Sequence, residues 1–186
     1  SFSISYAIKS QTLDYGNELN EFDPFFNFRA TEYIVENGFS EYFEWHDDKS
    51  WYPTGRDVSA TSQTMLHITA AISYEIFGGN SSLYDFTIYF PLVISSLSIF
   101  VIFVLVRLFA GTTAGLISSL LIAISLPIAV RGMAGWFKSE PLGLFYGLLG
   151  LYLFLSGINS QNKKIAILKI ISGGIVMTFG MASWGG

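Results

Sequence analysis

Long apolar stretches separated by short polar turns fill the second half of the chain. Four such stretches, 86–107, 110–130, 140–158 and 165–186, hold almost no charged residue. Each is close to the roughly 20 mostly apolar residues that a helix needs to cross a bilayer, and no polar face recurs at helical spacing. Because hydrocarbon offers no water to backbone amides, helices are the expected structure. The pattern predicts four transmembrane helices, the last of them incomplete.

The first half of the chain follows a different pattern. Residues 1–10 resemble the end of a truncated first transmembrane helix. Residues 11–85 are expected to form a large external loop with short helices. Within this loop, residues 61–78 are amphipathic and predict a helix lying on the membrane surface. The chain has no initiator Met, and we expect it to be a piece of a longer protein. The predicted fold class is an all-α polytopic membrane protein.

Charge divides the 186 residues in the same way. Thirteen of the 14 acids precede residue 86, whereas six of the 10 bases follow it, and no cysteine is present for a disulfide or a thiolate metal site. Arg107, Lys163 and Lys164 lie in turns between predicted spans, which places those turns in the cytoplasm. The loops 11–85 and 131–140 then face each other on the external side, although Arg131 and Lys138 follow this rule only in part.

An acidic residue among aromatic ones marks the first loop. Asp23 lies in "EFDPFFNFRATEYI", and Pro24 disfavours helix at Asp23 while favouring a helix that starts just after it and stops at Asn37-Gly38. The helix dipole would stabilise the carboxylate there, and a plain N-cap is the alternative to a functional role. Arg29 on this helix could bind a phosphate, or could pair with Glu32 or Glu36.

Two further groups of residues are candidates for chemistry. Glu140 is the only acid after residue 85 and stands at the mouth of a predicted span, where an ionisable group is a functional candidate by default. A charge that merely suits the helix dipole is the alternative. In the first loop, His46, Asp47 and Asp48 could bind a cation, although adjacent aspartates on a solvated loop usually bind nothing specific.

Four segments, taken together, carry a family resemblance. In order and spacing, "EFDPFFNFRATEYI", "EWHDDKSWYPTGR", "RGMAGWFKSEP" and "SWGG" resemble the catalytic subunit of oligosaccharyltransferase, the dolichyl-phosphooligosaccharide–protein glycotransferase, in its archaeal form. The resemblance covers the N-terminal part of the family's length and implies a GT-C helix bundle. It implies transfer of an oligosaccharide from a polyprenyl (dolichyl) phosphate or diphosphate to the Asn of an Asn-x-Ser/Thr sequon.

The resemblance also implies partners and a location. The partners are the lipid-linked oligosaccharide, the acceptor polypeptide and the lipid bilayer, with no nucleic acid. The protein would span the cell membrane of an archaeon, or the endoplasmic reticulum of a eukaryote, with its site on the external or lumenal face. One divalent cation, Mn²⁺ or Mg²⁺, is the implied cofactor.

Individual residues take roles from this resemblance. Asp23 matches a catalytic metal ligand that also contacts the acceptor amide, and Glu140 keeps the second acid of the second acidic motif. Arg131 matches a basic residue near the donor and acceptor groups, for which Lys138 and Arg29 are further candidates. Lys138 stands where the family has the first acid of that motif, and an ammonium there removes a ligand and repels a divalent ion.

Several interpretations of this departure remain open. The metal could be held by Asp23, Glu140 and an acid from outside this chain. Lys138 could point away from the site, or replace part of the metal's charge beside the donor phosphate. The protein could also be a weakened or inactive paralogue. Alternatives to the whole function are another GT-C lipid-sugar-dependent transferase and a non-catalytic membrane subunit.

Overall fold

The computed structural model describes residues 1–184, so Gly185 and Gly186, which end the "SWGG" segment, lie outside it. The regular secondary structure of the described chain is helical except for one antiparallel ribbon of two short strands. The elements are α1 Phe2–Lys9, a 3-10 turn Gln11–Tyr15, α2 Phe22–Asn37, α3 Phe39–Glu44, β1 His46–Asp47, β2 Arg56–Asp57, α4 Val58–Thr61, α5 Thr64–Phe77, α6 Leu83–Ile124, α7 Leu126–Arg131, α8 Ser139–Ile158 and α9 Lys163–Trp184.

Helix α6 contains a reversal of the chain. Its backbone is non-helical at Gly111, with φ 83°, in the left-handed region that glycine enters at no steric cost. A side-chain atom added to Gly115 would lie 2.8 Å from the carbonyl oxygen of Phe103. In an unbroken helix, residues twelve positions apart are separated by about 18 Å. The two halves of α6 therefore pack against each other as a hairpin, with Gly111 at its bend.

The sequence predicted a single helix over 110–130, and the structure differs from it at the end of the hairpin. The second half of α6 ends at Ile124, Ser125 is extended, and the separate helix α7 follows. Pro127 lies in the first turn of α7, where its missing N–H removes no helical hydrogen bond. Among residues 1–184, three helices, α6, α8 and α9, are long and apolar enough to cross a membrane, and α6 covers two of the four predicted stretches.

Helices α8 and α9 pack closely through glycines. A side-chain atom added to Gly150 would contact the Met177 side chain and would lie 3.0 Å from the carbonyl oxygen of Gly173. Close approach of backbones through small residues is typical of helices packed inside membranes, where burial from water contributes nothing. Glycine at position 150 therefore sets the distance between the two helices.

The first loop folds into a layer of its own over the ends of the long helices. Its core consists of apolar residues from α2, α3, α4 and α5, among them Ile34, Tyr42, Val58 and Ala71. The segment that predicted a membrane-surface helix is α5, and its residues Leu66 and His67 are completely buried. One face of α5 is thus covered by protein, and its contact with lipid remains a prediction.

We expect Gly150→Ala to loosen the pairing of α8 with α9, because the new methyl group meets backbone atoms that cannot move aside independently. Overpacking of this kind costs about 1–3 kcal/mol. Thermal unfolding of the full-length protein in detergent would show a lower midpoint. Gly147→Ala is the matched control on the same helix, because no described atom lies within 4 Å of its added atom. Equal midpoints for the two variants would contradict this account of the packing.

Candidate functional site

Asp23 lies in the first turn of α2, on the inner side of the first loop. The helix begins at Phe22, one residue before Asp23, so the prediction of a start just after Asp23 is wrong. Pro24 is tolerated at the third helical position because the N–H groups of the first turn have no helical partner. The predicted end of the helix at Asn37-Gly38 is confirmed. Asp23 is 72% exposed, so its carboxylate is open to a ligand.

The segment 132–138, between α7 and α8, is fixed by backbone hydrogen bonds from distant parts of the chain. Ala134 N donates to Lys9 O at 3.1 Å, and Gly135 N donates to Ile88 O at 2.9 Å. Asn20, which lies three residues before Asp23, donates its N–H to Gly135 O at 3.0 Å. This segment is thereby attached to α1, to α6 and to the chain that leads into α2.

Lys138 connects this segment directly to the acids of the first loop. Its ammonium donates to Glu21 at 2.6 Å and lies 3.0 Å from the Asp23 carboxylate, and its side chain is only 14% exposed. Its Nζ also lies 4.6 Å from the centre of the Trp136 ring, a cation–π contact. Burial lowers the Lys138 pKa, but the hydrogen bonds to Glu21 and Asp23 outweigh it, so the pKa is raised overall. Lys138 therefore carries a full charge and does not point away from the site.

Arg131 and Glu140 form a second ion pair beside the first. The Arg131 guanidinium donates to Oε1 of Glu140, which lies in the first turn of α8. The other carboxylate oxygen, Oε2, is buried and has no hydrogen-bond partner among the described residues. A buried, unpaired carboxylate oxygen is costly, and it leaves Glu140 one free position for a ligand.

Asp23 and Glu140 both line one polar cavity of about 320 Å³. Topology alone predicted that the two loops face each other, and the structure brings Asp23 and Glu140 to the same space. Sequence reasoning missed Arg56 at this site. The signal available was its place at the end of "EWHDDKSWYPTGR", one of the segments that carry the family resemblance. The lining residues are Asp23, Phe26, Asn27, Arg56, Thr61, Ser62, Gln63, Lys138, Ser139, Glu140 and Trp184.

A second cavity, of about 340 Å³ and mostly apolar, adjoins the polar one. Both cavities are lined by Glu140 and Trp184. The apolar walls come from the region of α7 and the start of α8, and Arg131 lies among them. The further lining residues are Ser95, Pro127, Ile128, Gly132, Pro141 and Leu144. Glu140 thus lies at the boundary between an apolar space, which Arg131 also lines, and a polar one.

Arg29 does not line either cavity. Its guanidinium pairs with the buried carboxylate of Asp47 and with the Ser50 hydroxyl at 3.1 Å. The expected pairing with Glu32 or Glu36 is therefore wrong. Asp47 is more distant in sequence, but the ribbon β1–β2 folds it back over α2, where burial strengthens the ion pair. Arg29 stabilises the loop through the pair with Asp47, and its Nε is buried without a hydrogen-bond partner among the described residues.

The three candidate cation ligands of the first loop, His46, Asp47 and Asp48, do not meet at one point, although His46 Nε2 lies 3.6 Å from Asp48 Oδ1. Asp47 is occupied by Arg29, whereas His46 Nδ1 lies 2.6 Å from Asp57 and His46 Nε2 lies 3.0 Å from Thr54 O. The Asp57 and Thr54 contacts raise the His46 pKa. Over residues 1–184, no group of three or more His, Asp or Glu side chains could hold a metal ion.

A buried polar network supports the site from behind. Asn27 Nδ2 donates to Phe137 O at 2.8 Å, next to Lys138, so Asn27 Oδ1 accepts from His67 Nε2 at 3.0 Å. The other ring nitrogen of His67 then accepts from the Tyr42 hydroxyl at 2.7 Å. Burial lowers the His67 pKa to about 3 and raises the Tyr42 pKa to about 12, so both groups are neutral. The network joins α2, α3 and α5 to the Lys138 segment.

Comparison with solved structures defines the class of fold. The chain superimposes with a TM-score of 0.80 on the archaeal oligosaccharyltransferase AglB from Archaeoglobus fulgidus in complex with an inhibitory peptide and a dolichol-phosphate. It does so at 20% identity, over 99% of this chain and 23% of that one. The same protein in a complex with Zn and sulfate gives a TM-score of 0.79 at 20% identity, over 99% and 25% of the two chains. The chain has the fold of a GT-C membrane protein, as predicted.

Sequence comparison gives the family. Residues 8–186 match the model of the oligosaccharyl transferase STT3, N-terminal region, and the chain belongs to this family. It is 32% identical to the STT3B subunit of the Arabidopsis thaliana dolichyl-diphosphooligosaccharide–protein glycosyltransferase, over 94% of this chain and 24% of that protein. It is 28% identical to the rice (Oryza sativa subsp. japonica) STT3A subunit, over 98% and 23%. The chain thus spans about a quarter of the length of these relatives.

We expect Tyr42→Phe to destabilise the first loop, because the buried His67 Nδ1 then loses the donor that it has within the described part of the chain. An unsatisfied buried polar atom costs about 1–3 kcal/mol. Thermal unfolding of the full-length protein would report the loss. Tyr15→Phe removes the same hydroxyl at a side chain that is 94% exposed, where little change is expected. If both variants unfold at the wild-type temperature, the network does not support the site.

Proposed function

We propose that the full-length protein transfers an oligosaccharide from a polyprenyl (dolichyl) phosphate or diphosphate to the Asn side chain of an Asn-x-Ser/Thr sequon. The single observation that carries this proposal is the junction at Glu140, where a polar cavity with two acids meets an apolar cavity. A lipid-linked sugar needs both environments within a few ångströms of each other. The Archaeoglobus fulgidus relative binds a dolichol-phosphate and a peptide, which supports the same ligand classes here.

The donor fits the junction through charge and apolar contact. The lipid chain would occupy the apolar cavity beside α7 and α8, and its phosphate would lie near Arg131 and Lys138. Arg131 shares its charge with Glu140 and retains further N–H groups, because a guanidinium has five donors. Arg56 reaches the polar cavity from the first loop. These cations would bind the phosphate and stabilise its negative charge as it leaves.

The acceptor would enter from the polar side, where Asp23 is exposed. An amide nitrogen is a poor nucleophile because its lone pair is delocalised into the carbonyl. A carboxylate that accepts hydrogen bonds from the amide NH₂ increases its reactivity, and Asp23 is the open carboxylate of this cavity. In the transfer, the bond between the sugar's anomeric carbon and the phosphate oxygen breaks, and the polyprenyl phosphate or diphosphate leaves with its electron pair. The anomeric carbon forms a bond to the amide nitrogen, whose proton passes by way of the Asp23 carboxylate to water.

A divalent cation is part of this proposal. Mg²⁺ sites commonly use one or two carboxylates and complete their coordination with water and substrate phosphates. Asp23 and Glu140 supply two carboxylates, and the buried, unpaired Oε2 of Glu140 fits a ligand position. Mn²⁺ or Mg²⁺ held there would supply charge neutralisation for the departing phosphate. The Archaeoglobus fulgidus relative was solved in a complex with Zn and sulfate, which supports cation binding in this family.

The location follows from the same arrangement. The protein is a multi-pass membrane protein, and the donor lipid stays in the bilayer. We place the cavity on the external or lumenal face, because the basic turn residues Lys163 and Lys164 lie at the opposite end of α9 from Trp184. The membrane is the cell membrane in an archaeon and the endoplasmic reticulum in a eukaryote.

We expect Asp23→Asn to lower glycopeptide formation at least about 100-fold, because the amide cannot replace the carboxylate as acceptor or ligand. The assay uses the full-length protein in lipid bilayers, with a polyprenyl-linked oligosaccharide, an Asn-x-Thr peptide and Mn²⁺. Asp14→Asn changes an exposed acid outside the cavity in the same way and should keep wild-type activity. Transfer by Asp23→Asn at the wild-type rate would favour a different transferase site or a non-catalytic subunit.

A further inference from the structure

We propose that Lys138 and the divalent cation compete for Asp23, so that Lys138 lowers the affinity of this site for metal. The inference rests on the proposed function, because it takes Asp23 and Glu140 as the residues that hold the ion. It concerns a residue that replaces a carboxylate of the family motif, and it assigns Lys138 a defined effect on the cofactor.

The distances leave little room for two cations at Asp23. Lys138 Nζ lies 3.0 Å from Asp23 Oδ2, and a metal–oxygen bond to the same carboxylate is about 2.1 Å long. On the same oxygen, the ammonium and the ion would be within roughly 5 Å of each other, and on the two oxygens of the carboxylate within roughly 7 Å, distances at which like charges repel at the edge of a protein. Occupation of Asp23 by metal therefore weakens the contact of Lys138 with Asp23.

Lys138 is held in place by more than Asp23. Glu21 accepts a hydrogen bond from Nζ at 2.6 Å, and the Trp136 ring lies 4.6 Å away. The backbone around Lys138 is tied down by Asn27, which donates to Phe137 O. These contacts give Lys138 a second carboxylate to keep when the metal takes Asp23. The competition is therefore an exchange at Asp23 rather than a displacement of the whole side chain.

The charge of the cavity leads to the same conclusion. Its charged lining residues are two acids, Asp23 and Glu140, and two bases, Arg56 and Lys138. The described lining therefore has no excess of negative charge to attract a divalent ion. With a neutral residue at position 138 the same lining would carry one excess negative charge, which favours the metal.

The test measures Mn²⁺ binding to the full-length protein by the loss of the EPR signal of free Mn²⁺. Only binding that Asp23→Asn abolishes is counted, which restricts the measurement to this site. Lys138→Met should bind Mn²⁺ at least tenfold more tightly than the wild type, with Lys138→Gln as a second neutral variant. Lys138→Arg keeps the charge and should stay within threefold of the wild type. Lys49→Met removes an exposed positive charge outside the cavity and should change nothing.

Two results would overturn the inference. One is equal or weaker Mn²⁺ binding by both neutral variants. The other is tighter binding by Lys138→Arg and Lys138→Met alike, which would assign the effect to the shape of lysine instead of its charge.

Glycopeptide formation by the same wild-type preparation separates this inference from the proposed function. If the wild type shows no transfer at saturating Mn²⁺ while the order of affinities is as expected, the proposed function fails and the competition stands. If transfer occurs and the affinities are the same, the competition fails and the function stands.

Discussion

The ion pairs of Lys138 with Glu21 and Asp23 are the interaction on which the site depends. Lys138 and Glu21 are 117 positions apart in the sequence. The ion pairs therefore hold the first loop against the segment before α8. Without Lys138, Asp23 and Glu140 would line the polar cavity with Arg56 as the remaining base, and Glu21 would lose its partner. Lys138 thus connects the acids of the first loop to the segment that leads into α8 and balances part of their charge.

The membrane explains why this contact can be so specific. Within hydrocarbon, the helices satisfy their own backbone groups and leave few polar contacts to define their relative positions. The hairpin bend at Gly111 and the close glycine packing of Gly150 against α9 fix the bundle sterically. Polar specificity is concentrated at the surface, where Asn27 and His67 connect the first loop to the segment 132–138. A rigid apolar bundle therefore supports a polar site at its end.

Much of this arrangement could be predicted from the sequence, because its causes are local or concern the membrane. Apolar runs predict the long helices, and Asn37-Gly38 predicts the end of α2, since both depend on neighbouring residues. The meeting of Asp23 and Glu140 follows from topology, because two loops on one side of a bilayer must face each other. What could not be predicted are side-chain partners distant in sequence. Arg29 chooses Asp47 over the nearer Glu32 and Glu36 because the ribbon buries that pair, and nothing in the local pattern shows it.

A zero-length carbodiimide cross-link tests the central contact most directly. The reagent activates carboxylates and joins them to an amine already within hydrogen-bond distance, with loss of water. In the full-length protein, mass spectrometry should find Lys138 linked to Glu21 or Asp23, whereas Lys163, which has no carboxylate partner in the described chain, gives the background. If Lys138 is cross-linked no more often than Lys163, the contact is contradicted, and with it the account of the site.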